Sequence, residues 1–109
     1  MEVKDIKIYK TELGKEPFRE WFLKLDNSQK AIVSTRLKRV ELGNLGVYKK
    51  LSENISELKF DNGLRIYYTE LDKVILLLLL GGGKKKQSSD IEKAEKYFND
   101  YINRSAGND

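Results

Sequence analysis

Cationic, phenolic and amide side chains are the groups in this chain that could do chemistry. The sequence of 109 residues contains no His and no Cys, which excludes Ser-His and Cys-His triads, thiolate nucleophiles and zinc chemistry. Its densest positive charge is the run Lys84-Lys85-Lys86 before Gln87, directly after Gly81-Gly82-Gly83. Glycines let the backbone approach a ligand closely and lysines can meet phosphates, so this junction is predicted to bind a phosphate-bearing partner. The alternative is a solvated lysine run that serves solubility.

Two further cations and a phenol lie on adjacent predicted strands. Lys59 and Arg65 flank the turn Asp61-Asn62-Gly63, and Tyr67 shares a strand face with Arg65 that is expected to point outward. RNA cleavage needs negative charge stabilised on a pentavalent phosphate. Arg binds phosphate oxygens bidentately, a crowded Lys can transfer a proton, and Tyr67 could stack on a base. Alternatively, these cations decorate a solvent-facing strand and pair weakly with Glu57 across it.

The apolar periodicity predicts an α+β fold. An opening strand is expected at residues 6–11. Pro17 suits the first turn of a helix with an aromatic face, and Asp26-Asn27-Ser28 supplies caps for a second helix that ends at Gly43. These two helices are expected to form an αα-hairpin that covers a sheet. The segment 43–56 shows no period and is predicted to be mostly loop.

A three-strand antiparallel meander is expected after this loop, over residues 55–60, 64–70 and 74–80. The last strand is apolar throughout, and its seven residues are too few to cross a bilayer, so it should be a buried central strand. Ser89 and Glu92 have capping-box spacing at the start of a C-terminal helix. One domain is expected over residues 1–109, with a frayed tail from residue 104 to residue 109.

Charge and the amino-terminal residues bear on the compartment and the partners. The net charge of +4 comes from 21 basic and 17 acidic residues, a mild excess that is concentrated at the lysine run. Met1 leads directly into charged residues without the apolar core of a signal peptide, so the cytoplasm is the expected compartment and no membrane contact is expected. No metal site and no cofactor are predicted.

Several short motifs, in order, resemble the RelE/ParE superfamily of bacterial toxins, and within it the HigB-like addiction-module killer proteins of phage origin. They are Ser56-Glu57-Leu58-Lys59-Phe60, Gly63-Leu64-Arg65-Ile66-Tyr67-Tyr68, the segment from Leu76 to Gly82 with Lys84, and Asp90-Ile91 with Ala94. That branch usually has Arg where this chain has Lys59, and Asp where it has Gly83.

The resemblance implies a RelE-like fold and the toxin of a type II toxin–antitoxin module, a metal-independent, ribosome-dependent mRNA endonuclease. It assigns catalytic roles to Lys59, Arg65 and Lys84, and the adjoining Lys85, Lys86, Gln87 and Tyr67 are expected to bind RNA. The implied partners are the ribosome, mRNA and a cognate antitoxin, expected to be a small helix-turn-helix protein.

Two other functions fit the same residues. A ParE-like toxin would act on DNA gyrase by binding, without hydrolysis of RNA. A non-catalytic module would use its cationic groove to bind an antitoxin or another acidic segment, and that contact should weaken with salt if it is electrostatic.

Overall fold

The computed structural model describes residues 3–106 as an α+β protein with three helices and a five-stranded sheet. The strands are β1 (Asp5–Ile8), β2 (Tyr48–Lys50), β3 (Ser56–Lys59), β4 (Arg65–Glu70) and β5 (Ile75–Gly82). The helices are α1 (Pro17–Leu23), α2 (Asn27–Glu41) and α3 (Gln87–Ala106).

The sheet is mixed, with strand order β1-β5-β4-β3-β2. Strands β2 to β5 pair antiparallel in sequence, whereas β1 pairs parallel to β5. The prediction of a three-strand antiparallel meander was therefore incomplete. It missed β2, which has three exposed residues and no apolar alternation to reveal it, and it did not place the opening strand beside β5.

Helices cover both faces of the sheet. On one face, Phe18 of α1 and Val33 and Val40 of α2 form a core with alternate strand residues such as Leu58, Ile66 and Leu76. On the other face, Ala94 and neighbouring residues of α3 pack on Tyr67, Leu77 and Leu79. Because β5 is covered on both faces, its side chains are apolar without alternation, as expected of a buried interior strand.

Local sequence explains where the first two helices begin. Pro17 occupies the first turn of α1, where its missing N–H leaves no hydrogen bond unmade. Asp26 caps α2: its carboxylate accepts from the Gln29 backbone N–H at 2.7 Å, and the Gln29 side chain accepts from the Asp26 N–H at 3.3 Å. The predicted start of the second helix is thus confirmed, with Asp26 as the cap.

The C-terminal helix differs from its prediction at both ends. It begins at Gln87, so Ser89 lies inside the first turn and is not the cap. It continues to Ala106, and Arg104 pairs with Asp100 at 2.7 Å and donates to the Lys10 carbonyl at 2.5 Å. Residues 104–106 of the tail that was predicted to fray thus belong to α3, and residues 107–109 lie outside the described chain.

Within the described chain, none of the helices combines the length and apolar character needed to cross a bilayer.

Candidate functional site

Strand register gathers the three predicted catalytic cations at one end of the sheet. Lys59 of β3 lies opposite Arg65 of β4, and Arg65 lies opposite Gly82 of β5. The β3–β4 turn brings in the third cation: the Lys84 side-chain carbons pass 3.7–3.8 Å from where a Cβ on Gly63 would be. Arg65 Nη1 also donates to the Gly63 carbonyl at 3.3 Å. We call Lys59, Arg65 and Lys84 the cation cluster.

The turn that joins these residues depends on one glycine. Gly63 has φ +90°, in the left-handed region that residues with a side chain rarely adopt. Asn62 supports the turn by accepting from the Leu64 N–H through its side-chain oxygen at 3.1 Å. The turn predicted from Asp61-Asn62-Gly63 is confirmed, and it holds the backbone against which Lys84 lies.

Arg65 is buried and already has an anionic partner. Its exposed fraction is 8%, that of Glu57 is 1%, and Arg65 Nε lies 3.4 Å from Glu57 Oε2. This is an ion-pair distance, yet Nε makes no hydrogen bond of good geometry within the described residues. Gln87 Nε2 lies 3.5 Å from the same Glu57 oxygen. The side chains of Arg65 and Gln87 therefore both approach the Glu57 carboxylate, where α3 begins.

The β4 face expected to point outward is covered by α3. Arg65, Tyr67 and Thr69 are all buried, so the prediction of an open basic and aromatic face is wrong. Alternation showed that β4 has two faces but could not show that a distant helix packs on the second. Tyr67 has no exposed surface, so its ring has no face available for base stacking in this structure.

The hydroxyl of Tyr67 lies in this buried polar region without a hydrogen-bond partner among residues 3–106. Burial, with the negative charges of Asp90 and Glu57 nearby, raises the pKa of Tyr67 to about 12. A phenol with such a pKa holds its proton firmly and is a poor base.

Gly81 and Gly82 are the last two residues of β5, so the backbone leaves the sheet only after them. A register shift opposite Tyr67 and Tyr68 places one extra residue, Leu79, in β5. Beyond the shift, Gly81 faces α1 and Gly82 faces α3. A Cβ on Gly81 would collide with the Trp21 indole, and one on Gly82 would collide with the Asp90 carboxylate. Both glycines are thus required by close packing rather than by a turn.

Asp90 of α3 lies at this site, although the sequence prediction gave it no role in binding or catalysis. Its carboxylate is buried against Gly82, and desolvation raises its pKa, although the charges of Lys93 and Lys86 act in the opposite direction. A raised carboxyl pKa is the direction that a proton donor needs. The sequence did not indicate this position of Asp90, because the residue it packs against, Gly82, has no side chain that would suggest a contact.

The side chains of Lys85 and Lys86 lie in a groove that Gln87 and Tyr67 do not line, although the sequence prediction grouped all four residues. This groove of about 580 Å³ lies between α1 and α3, and its floor is the end of β5. Lys84 also lines it. We call this the lysine groove. The predicted RNA-binding residues thus separate into exposed lysines in the groove, the half-buried Gln87 at the start of α3, and Tyr67, which is buried beneath α3.

Chemically, the arrangement offers exposed ammonium groups beside a buried Arg–Glu pair. Lys59 and Lys84 are exposed and available to an anion, whereas Arg65 is held by Glu57 and by the Gly63 carbonyl. Such a site can stabilise negative charge on phosphate. Within residues 3–106, no three acidic side chains lie close enough together to hold a metal ion.

Comparison with known proteins shows a relative that aligns with most of this chain. No protein-family model matches the chain. A Haemophilus influenzae protein, named "Uncharacterized protein", is 38% identical over 81 residues, which is 72% of this chain and 82% of that protein. The chain therefore belongs to the same family as this Haemophilus protein, whose name assigns no activity.

Proposed function

We propose that this protein is the toxin of a type II toxin–antitoxin module, and that it cleaves mRNA on the ribosome in the cytoplasm. The observation that carries the proposal is the cation cluster: three strands and one turn bring Lys59, Arg65 and Lys84 together. The ordered motifs that resemble the RelE/ParE superfamily support it, and a RelE-like arrangement with α1 and α2 as a helical hairpin is part of the proposal.

In the proposed reaction, the 2′-hydroxyl of one nucleotide gives up its proton to solvent and attacks the adjacent phosphorus. The bond from phosphorus to the 5′-oxygen breaks, and that oxygen takes up a proton, which leaves a 2′,3′-cyclic phosphate and a 5′-hydroxyl. Lys84 and Lys59 are exposed and stabilise the charge that develops on the phosphate oxygens. Arg65 contributes charge from a fixed position, because Glu57 and the Gly63 carbonyl restrain its guanidinium. A cognate antitoxin, a small helix-turn-helix protein, inhibits by covering these cations.

The test is an mRNA cleavage assay with purified ribosomes, combined with mapping of RNA 5′ ends after induction in cells. Lys84→Gln removes an exposed charge, so the protein should fold normally while cleavage falls by about 100-fold, and Lys84→Arg should restore part of it. Lys50→Gln is the matched control and should cleave like the wild type, because Lys50 pairs with Ser56, at the end of β3 opposite to Lys59.

Two results would count against the proposal. Intact mRNA with gyrase-dependent DNA breaks would instead identify a gyrase poison. Intact mRNA and intact DNA, together with tight binding to an antitoxin, would identify a non-catalytic binding module.

A further inference from the structure

The lysine groove carries more positive charge than the cation cluster needs. Its lining includes five lysines: Lys24 directly after α1, Lys84, Lys85 and Lys86 in the loop after β5, and Lys93 in α3. Only two acidic residues line it, Glu20 and the buried Asp90. Among residues 3–106, none of the five lysines forms an ion pair with a carboxylate.

These lysines are all exposed, and they lie around one concavity rather than over a convex surface. Like charges so placed repel one another, and a concave cationic surface concentrates anions from solution. Five cations fit a polymer with a charge at every repeat better than they fit a single carboxylate. Trp21, Leu80 and Tyr97 add apolar surface of the kind that nucleic-acid bases contact.

The groove is continuous with the cation cluster through Lys84. This side chain lines the groove and also lies against Gly63, the turn residue whose carbonyl Arg65 contacts. A strand with one phosphate at the cation cluster can therefore continue past Lys84 into the groove.

Gly83 leaves the groove free at its mouth. Nothing lies within 4 Å of where a Cβ on Gly83 would be, and its backbone is outside the left-handed region. A side chain at residue 83 would fit without collision, in contrast to Gly81 and Gly82. Packing therefore permits an acidic residue here, and its absence leaves the positive charge of the groove uncompensated.

We propose that the lysine groove binds the phosphates of single-stranded RNA flanking the cleaved bond, with Lys24 and Lys93 as its distal contacts. This inference rests on the proposed function, because it takes the RNA path to begin at the cation cluster. It assigns a role to one lysine directly after α1 and one in α3, which no sequence motif groups together.

The experiment measures binding of a fluorescent single-stranded RNA carrying 2′-O-methyl groups throughout, which cannot be cleaved by attack of a 2′-hydroxyl. Fluorescence anisotropy over a series of salt concentrations gives the slope of log K against log salt. Each phosphate contact adds about 0.7 to that slope for a single strand. Lys24→Gln/Lys93→Gln should therefore reduce it by about 1.4, equivalent to about 25-fold weaker binding near 0.1 M salt.

Two pairs of variants serve as controls. Lys49→Gln/Lys50→Gln removes the same charge from exposed positions on β2, three strands away from β5, and should leave the slope unchanged. Gly83→Asp should weaken RNA binding, whereas the nearly isosteric Gly83→Asn should bind like the wild type, since neither side chain meets a neighbour.

The inference is overturned if the two double variants weaken binding equally, or if Gly83→Asp and Gly83→Asn bind alike. It is also overturned if poly-glutamate displaces the labelled RNA as well as unlabelled RNA of equal charge does, because the groove would then accept an acidic polypeptide equally. Absence of cleavage with the expected binding pattern would refute the proposed nuclease activity and leave the groove assignment intact.

Discussion

Replacing Arg65 should destabilise the protein as well as affect any catalysis, because the substitution leaves Glu57 as a buried carboxylate without its cation. Glu57 is 1% exposed, Arg65 is 8% exposed, and their charged groups lie 3.4 Å apart. Breaking a buried pair from one side costs about 3–5 kcal/mol. Small domains are stable by only about 5–15 kcal/mol, so Arg65→Met should lose a large part of the total.

A double-mutant cycle separates the interaction energy between Glu57 and Arg65 from the effects of the two single substitutions. Glu57→Gln/Arg65→Met removes both charges, so it should be about 1–3 kcal/mol more stable than the sum of the two single effects predicts. Urea unfolding, followed by the fluorescence of Trp21, the only tryptophan in the sequence, measures each free energy of unfolding.

Lys84→Gln is the control, since this residue is exposed and its replacement leaves no buried charge. The reasoning is refuted if Arg65→Met lies within about 0.5 kcal/mol of the wild type, the range typical of surface substitutions. It is equally refuted if the double variant shows no recovery. If the expected result is found, activity of Arg65 variants must be expressed per folded molecule before any loss is assigned to chemistry.

Two further predictions concern packing and pH. Gly81→Ala should lower the free energy of unfolding by about 1–3 kcal/mol, because the new Cβ collides with Trp21. Gly83→Ala should be neutral or slightly stabilising, because the space around its Cβ is open. Thermal unfolding of both variants measures the difference, and equal effects would contradict this account. Burial raises the pKa of Tyr9, Tyr67 and Tyr68 to about 12, so these phenols keep their protons to a higher pH in the folded chain than in the unfolded one. The free energy of unfolding should therefore fall as the pH rises from about 10 towards 12. Tyr67→Phe should reduce this fall, as measured by urea unfolding at a series of alkaline pH values, and an unchanged pH dependence would count against it.

Local signals in the sequence predicted the elements whose causes are local. Pro17 suits the start of α1 because no hydrogen bond is needed from its nitrogen there, Asp26 caps α2 through hydrogen bonds with Gln29, and Gly63 permits a turn that its neighbours close. The α+β class followed from these elements, and so did the position of α3, whose apolar stripe repeats along one face.

What the sequence did not predict depends on distant residues. The strand β2 exists because Tyr48 and its neighbours pair with β3, and its own residues show no strand pattern. Arg65 and Tyr67 became buried because α3 packs on β4, a contact that alternation within β4 cannot specify. The cation cluster was expected from a resemblance, while the involvement of Glu57 and Asp90 required the packing of α3 against the sheet.

The parallel pairing of β1 with β5 has a consequence for synthesis of the chain. Asp5 pairs with Ile75, so β1 cannot form its hydrogen bonds to the sheet until β5 has been synthesised. The cation cluster needs β3, β4 and the loop after β5, and the burial of Arg65 further needs α3, which ends at Ala106. Chains are made vectorially at about 5–20 residues per second. The nascent polypeptide therefore remains without its assembled site until α3 has been synthesised.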